Sequence, residues 1–293
     1  MNTKTILAIP QFSNLNPLQN FYVSDLALHL KKHDKLIQKL HAHDFYVCVI
    51  FTAGTGIHVI DFKSYQIAPG RIFFLHPGQL HTWQFTLPAQ GYIFFHTKDF
   101  LDLMFPPHQL NHFPFYYSRQ NTPELTINST ELHFVLPYFK DVLQEYHSDE
   151  NLMKYNKIAS LIQVIYISLS RVYVTKKNTH TTIELRHMKI VHDFEELIYL
   201  NFRQWNTLVT YADTLGLSTK HLNRIVSSFT GKTAKTLLTE HVILQCKMAL
   251  INSDDSLTDV ALKLGFNELS YFSKFFKKHE GITPLAFRGK YIM

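Results

Sequence analysis

Two short stretches near the C-terminus place cations and hydrogen-bonding side chains at helical spacing. In the second, Phe272 and Phe276 lie one turn apart and mark a core side, which turns Ser270, Lys274 and Lys277 outward. A polar, cationic ridge of this kind fits a DNA major groove, where ammonium groups neutralise phosphates and polar tips reach base edges. In the first, Ser218 is a natural N-cap, and Leu222 and Ile225 face inward. That leaves Lys220, His221, Asn223 and Arg224 as candidate contacts. The Arg224 guanidinium suits a bidentate pair with guanine and the Asn223 amide a pair with adenine, each worth roughly 1–3 kcal/mol of discrimination. Contact with phosphate alone would position the chain without reading sequence.

These ridges need two helices held at fixed spacing, and the surrounding sequence supplies them as a duplication. Ala212, Leu215, Gly216 and Leu217 recur as Ala261, Leu264, Gly265 and Phe266 at an offset of 49. Leu222, Arg224 and Gly231 recur as Phe272, Lys274 and Gly281 at 50, so one residue is inserted. Each copy reads as helix, tight turn, helix, at about 208–231 and 257–281. Gly265 marks the turn with φ > 0 expected, and Asn267 is the expected N-cap of the second ridge helix. Between the copies, Ala234 to Ile251 has neither Gly nor Pro and carries an apolar stripe through Leu238, Val242, Cys246, Ala249 and Leu250. As one helix it spans roughly 27 Å, of the order of the ~34 Å repeat of B-DNA.

The run Leu257 to Arg288, with Gly-Phe-Asn-Glu-Leu-Ser-Tyr-Phe-Ser-Lys-Phe-Phe-Lys-Lys and then Gly281-Ile-Thr-Pro-Leu-Ala-Phe-Arg, resembles the signature of AraC/XylS-type transcription regulators. The resemblance runs from about Leu197 to Tyr291. It implies that Lys220, Asn223 and Arg224 are groove-facing, with Leu269, Ser270 and Lys274 at the matching positions of the second unit. Leu269 departs from the polar residue often found there, and could pack on a thymine methyl or read nothing.

Composition agrees. The chain has 293 residues, enough for two ordinary domains. Its formal charge is +6, and from Leu197 onward Lys and Arg outnumber Asp and Glu twelve to seven. The cationic excess therefore sits where the duplicated helices sit, as phosphate neutralisation requires. Cys48 and Cys246 fall in different domains, so neither a disulfide framework nor a cysteine zinc site is expected. The most apolar run, Leu161 to Val174, is interrupted by Gln163, Ser168, Ser170 and Arg171 and reads as too short and polar for a membrane span. Ile6 to Ile9 is too short for a signal-peptide core, and a cytoplasmic location follows.

The N-terminal part changes character. Residues 1–39 are weakly patterned and read as an arm or an edge strand. From Leu40 to Tyr117, short β-rich runs at Phe45–Thr52, Gly56–Phe62, Ile72–Leu75, His81–Phe85 and Gly91–His96 are punctuated by Gly and Pro. They predict a small antiparallel barrel or sandwich. Tyr46, His81, Trp83 and Tyr92 offer aromatic walls with polar tips for a small-molecule pocket at its mouth. Here His41-Ala-His43-Asp44 and Pro77-Gly-Gln-Leu-His81 resemble the two motifs of cupin barrels. By that resemblance His41, His43 and His81 would be three metal ligands. The usual Glu is missing, since Asp44-Phe-Tyr-Val-Cys-Val follows His43, and His58 and His76 are off the motif positions. Structural or ligand-contacting histidines are the favoured reading, and no cofactor is expected.

Helical spacing then appears at Leu132, Leu136, Phe139, Leu143 and Tyr146, interrupted by Pro137, and again from Leu152 through Leu169. The resemblance implies that these helices pair two subunits; packing on their own barrel is the structural alternative. The polar Lys176–Thr182 run reads as a linker. The expected fold is α+β with two domains: a cupin-like sensor barrel with its N-terminal arm over 1–118, helices over 119–175, a linker over 176–183, and an all-α tandem helix-turn-helix domain over 184–293. The expected function is a DNA-binding regulator, not an enzyme, with double-stranded DNA and a small-molecule effector as partners. A second copy of the chain is expected too, and by the resemblance RNA polymerase. The rival is a metal-dependent cupin enzyme fused to a DNA-binding module.

Overall fold

The computed structural model describes residues 6–12, 20–37, 39–102, 110, 113–149, 152–177, 183–204 and 207–291. Its contacts divide the chain into two compact units, with bodies at residues 5–181 and 182–293.

The N-terminal unit opens with β1 (Ile6–Leu7), a 3-10 turn (Ile9–Gln11), β2 (Phe21–Asp25), α1 (Leu26–Lys32) and α2 (Asp34–Ile37). Then follow β3 (Ala42–His43), β4 (Tyr46–Ile60), β5 (Lys63–Ile67), β6 (Arg71–Leu75), β7 (His81–His96), α3 (Lys98–Asp102) and β8 (Glu124–Thr126). The main sheet runs β2-β7-β4-β6-β8, with β5 also on β4 and every pairing antiparallel. The weakly patterned N-terminal segment is thus part of the sheet domain: β2 forms an edge of the sheet and β1 pairs with β3.

Two pairs of runs that the sequence presents as separate strands are single long strands. β4 continues through Gly54 and Gly56, and β7 continues through Pro88 and Gly91. Register shifts between Phe51 and Gly56 accommodate the glycines as bulges. Both halves of β4 and β7 reach one core, with Val47, Val49, Phe51 and Ile60 from β4 and Trp83, Ile93 and Phe95 from β7. The sheet therefore curls around that core. Its other face, with Cys48, Ile50, Phe74 and Phe94, is covered by α4 (Ser129–His147) and α5 (Lys154–Lys177).

α4 starts at a capping box, with Asn128 and Glu131 each accepting from the other's backbone N–H, and it carries Pro137 in its interior. α5 buries Ile158, Ala159, Ile162, Ile165, Tyr166, Leu169 and Tyr173 against the sheet. Contrary to the reading from run length, Lys154–Thr175 is long and apolar enough to cross a membrane, with mean hydropathy 1.5. Its buried face accounts for that composition by packing on the unit's own sheet, the structural alternative named above. Most of the predicted linker, residues 178–182, lies outside the described residues.

The C-terminal unit is helical: α6 (Ile183–Asn201), α7 (Leu208–Thr214), α8 (Thr219–Thr230), α9 (Ala234–Asn252), α10 (Leu257–Lys263), α11 (Leu269–Glu280) and α12 (Pro284–Tyr291). α9 is the predicted connecting helix. It packs against α6, α8, α10, α11 and α12, which is why its apolar residues go nearly all round.

Candidate nucleic-acid interface and a buried histidine cluster

The duplication read from the sequence is a duplication of backbone hydrogen bonds. Leu215 N–H donates to the Tyr211 and Ala212 carbonyls, Gly216 to Asp213 and Leu217 to Ala212. Shifted by 49, Leu264 donates to Val260 and Ala261, Gly265 to Leu262 and Phe266 to Ala261. After the turn the offset is 50: Leu222 to Ser218 matches Phe272 to Glu268, and Gly231 to Ser227 matches Gly281 to Lys277. Both ridge helices end on a left-handed glycine, Gly231 at φ 68° and Gly281 at φ 77°.

The inserted residue is Asn267, and the cap it was expected to supply belongs instead to Glu268. Glu268 has extended φ −137° and makes no side-chain cap bond, whereas Ser218 caps α8 through His221 N–H. The Glu268 carboxylate accepts from Ser270 Oγ at 3.1 Å and sets a negative charge at the start of α11.

On α8, Leu222, Ile225 and Val226 are buried, Lys220 and Arg224 are exposed, and His221 is half-buried. Asn223 is also half-buried, and its Oδ1 accepts from Ala234 N–H at 3.0 Å, at the first residue of α9. That bond ties the oxygen to the start of α9 and leaves it one further lone pair, with the amide NH₂ as donor. On α11, Phe272 and Phe276 are buried, and Leu269, Ser270, Lys274 and Lys277 are exposed. The far end of α11 is fixed to the connecting helix by Lys247, whose Nζ lies 2.7 Å from Glu280 and 5.9 Å from the Phe287 ring centre. Lys247 and Glu280 were not among the residues singled out, because nothing in a linear pattern pairs positions 33 apart.

The N-terminal unit gathers a second constellation. His41, His43 and His81 are buried, with ligating nitrogens within 4.8 Å of one another. His81 Nε2 lies 3.2 Å from His43 Nε2, and His81 Nδ1 lies 2.9 Å from Nε2 of the equally buried His58. His41 Nδ1 donates to the Lys39 carbonyl at 2.8 Å. Burial first, then repulsion from neighbouring imidazoles, holds His43, His58 and His81 well below the ordinary imidazole pKa. Burial also lowers His41, against an opposing pull from the Lys39 carbonyl. All four are neutral at pH 7.

His58 enters this cluster through the bulges. Before them the odd residues of β4, Val47, Val49 and Phe51, face the enclosed core; after them the even residues His58 and Ile60 do. The parity of β4 has switched, as an odd number of extra residues requires. His76 does not join, because it faces Tyr46 and Tyr116.

The approach to His81 is fastened by the β4–β5 hairpin. Asp61 and Phe62 both have positive φ, 47° and 67°, as a two-residue primed turn demands. The Asp61 carboxylate accepts from Gln79 Nε2 at 2.9 Å and Leu80 N–H at 3.1 Å, and Asp61 N–H donates to the Leu80 carbonyl. Burial raises this carboxyl's pKa, with the Gln79 and Leu80 bonds opposing.

The four residues expected to wall one small-molecule pocket, Tyr46, His81, Trp83 and Tyr92, are not all brought together, and the same holds for them with His41 and His43. Trp83 stands with the histidines, its ring 4.9 Å from His81 and 5.3 Å from His58. Tyr46 and Tyr92 lie on the other face of the sheet. Tyr46 stacks on His96, and Tyr92 faces Phe139 of α4. Side chains two apart share a face and neighbours do not, so Tyr46 and Tyr92 cannot line the space that His43 and Trp83 face.

Comparison with known proteins matches an AraC-like ligand binding domain model to residues 26–94 and a helix-turn-helix domain model to residues 211–290. Among curated relatives, the HTH-type transcriptional activator RhaS of Escherichia fergusonii is 24% identical over 257 residues, covering 85% of this chain and 86% of that protein. RhaS of Enterobacter sp. strain 638 is 23% identical over 256 residues with the same coverage. Among solved structures, ToxT from Vibrio cholerae aligns over 94% of this chain and 100% of its own at 14% identity, with a TM-score of 0.44. With the first model on its sheet domain and the second on its duplicated helices, the chain belongs to the AraC-type regulators.

Proposed function

We propose that this chain is a sequence-specific DNA-binding activator of transcription. Its α8 and α11 enter successive major grooves on one face of a duplex, and a small-molecule effector bound in the sheet domain modulates its action. The observation that carries the reading is the repeated hydrogen-bond pattern, which presents Lys220 and Arg224 on α8 and Ser270, Lys274 and Lys277 on α11 as exposed ridges on buried cores. Leu269, exposed at the start of α11, is placed for a thymine methyl. His221 and Asn223 serve the edge of the α8 ridge, with the Asn223 oxygen already holding the Ala234 N–H. α9, with 19 residues, is about 28 Å long and sets the spacing.

The effector would act by binding one arrangement of the protein better than another, and its influence on transcription is bounded by that difference in affinity. A homodimer through the helical layer is supported by an apolar stripe left exposed on α5, Val164, Ile167 and Val174. RNA polymerase is the natural protein partner of an activator, and the cytoplasm is its place of action. The rival reading, a metal-dependent enzyme joined to a DNA-binding module, is not favoured. His41, His43 and His81 have no carboxylate in their group to act as general acid or base.

Selection of duplexes from a random pool by the purified full-length protein tests the reading. We expect enrichment of a motif protected in two patches on one face, about 10–10.5 base pairs apart. Recovery no better than random competitor overturns it.

A further inference from the structure

The ridge helix α11 carries two outward rows beside its central Lys274. Helix positions seven apart lie within about 20° of one another, so Ser270 and Lys277 form a row along one flank and Tyr271 and Lys278 a row along the other. All four are exposed, as is Lys274. Among the described residues, neither the Tyr271 hydroxyl nor the Lys278 ammonium has a hydrogen-bond or ion-pair partner. The Tyr271 ring is 62% exposed yet braced from behind, 5.8 Å from Phe266 and 6.5 Å from Phe275, which lie 5.4 Å from each other. A braced ring with a free hydroxyl is ordered before it meets a partner, so contact costs it little rotamer freedom. Its place repeats that of His221, 50 residues earlier, so both ridge helices set a polar-tipped ring on the same flank. The copies part in the last turn. Lys277 and Lys278 stand where α8 has Ser227 and Ser228, and Ser228 Oγ is turned onto its own helix, donating to the Ile225 carbonyl at 2.8 Å. The last turn of α11 thus has a cation on each flank, and that of α8 has none. A helix with its side chains is about 10–12 Å across and the major groove about 12 Å wide, so a helix seated there brings each flank against the backbone of a different strand.

We propose that α11 straddles its groove, with Lys277 on the phosphates of one strand and Tyr271 and Lys278 on those of the other. The phenol donates to a phosphate oxygen while its ring rests on the adjoining sugar. Phosphate is the partner this row fits, because an ammonium and a phenol O–H are donors and phosphate oxygens only accept. The inference rests on the DNA-binding reading and adds two residues to it, Tyr271 and Lys278, which position the helix without selecting sequence.

The test uses the full-length protein and a duplex recovered by selection. Tyr271→Phe should lower affinity roughly tenfold on every sequence, with the salt slope unchanged because a neutral donor releases no counterion. Lys278→Ala should also weaken every sequence alike but lower the salt slope by ~1. Both side chains are exposed, so the melting temperatures should match that of the parent. Duplexes carrying one uncharged methylphosphonate at a time then locate the contacts. The position that no longer matters to Tyr271→Phe or Lys278→Ala should lie on the strand opposite the one that no longer matters to Lys277→Ala. Undiminished binding by Tyr271→Phe overturns the proposal, as does finding all three contacts on one strand, and either result leaves selection by the wild-type protein intact. Wild-type protein that selects no duplex overturns the DNA-binding reading and this inference with it.

Discussion

Gly216 and Gly265 occupy the same turn of the two helix-turn-helix units, with φ of 65° and 85°, yet their surroundings differ. A Cβ on Gly216 would meet nothing within 4 Å, whereas one on Gly265 would sit 2.2 Å from the Arg203 carbonyl oxygen. Gly216→Ala should therefore cost about 1–2 kcal/mol, the left-handed backbone penalty alone. Gly265→Ala should cost about 2–4 kcal/mol, because backbone must also move. Urea unfolding of the two variants tests this, and equal losses would show that the Arg203 contact gives way freely. Arg224 and Lys277 are separated by chemistry. Arg224→Ala should relax preference at one base pair by about 1–3 kcal/mol. Lys277→Ala should weaken all sequences alike and lower the salt slope by ~1. Identical losses on every sequence for Arg224→Ala would sink its assignment to base reading. Asn223→Ala should cost about 1 kcal/mol of stability through the freed Ala234 N–H, with sequence preference changed less than by Arg224→Ala.

At the scale of elements, the Lys247–Glu280 pair joins the end of one ridge helix to the spacer, with side chains 18% and 20% exposed. A partly buried charge-assisted bond of this kind is worth about 1–3 kcal/mol. Glu280→Gln should keep α11 folded while loosening its hold on α9, lowering affinity for the two-patch site more than for a duplex carrying only the α8 half. Equal losses on both duplexes would mean that the pair supports the whole unit. The helical elements were legible in the sequence because period, caps and glycines agree, and the offsets of 49 and 50 reappear as hydrogen bonds. The sheet was legible in class but not in connection. Gly54 and Gly56 look like the end of one strand and the start of the next, but a glycine can also mark a bulge inside a single strand. Only pairing with β7 decides between them. The same bulges hid His58, whose alternation counted from Tyr46 places it on the wrong face. Tyr46 and Tyr92 failed as pocket residues for the complementary reason: aromatic type was read without the parity that sends them toward α4 and α5.

Across the whole molecule, formal charge is shared between the units while shifted imidazoles are not. Residues 182–293 carry 14 Lys and Arg against 11 Asp and Glu, half of the net +6, with the cationic excess concentrated from Leu197 onward, whereas the histidines that burial holds below their ordinary pKa, His29, His33, His41, His43, His58, His81 and His96, belong to the sheet unit. Burial, then repulsion from His33, lowers His29 to about 3. Burial lowers His96 to about 4, against a smaller upward pull from the Thr97 carbonyl, and its Nε2 bonds the Tyr166 hydroxyl at 2.7 Å. A depressed folded pKa means that below the ordinary value of 6.5 the unfolded chain binds a proton that the folded chain refuses. The stabilisation is thus complete above pH 6.5 and is lost as pH falls toward 4. His29 and His96 each remove about 1.4 kcal/mol per pH unit across that window. Going from pH 7.5 to pH 5 should cost the sheet unit about 2 kcal/mol for His96 and a similar amount for His29. In a Trp205→Phe background, Trp83 fluorescence follows this unit alone, and its urea midpoint should fall steeply over that range. His96→Phe should flatten the fall by one proton's worth, and a midpoint independent of pH between 7.5 and 5 would show that these imidazoles reach solvent in the folded protein.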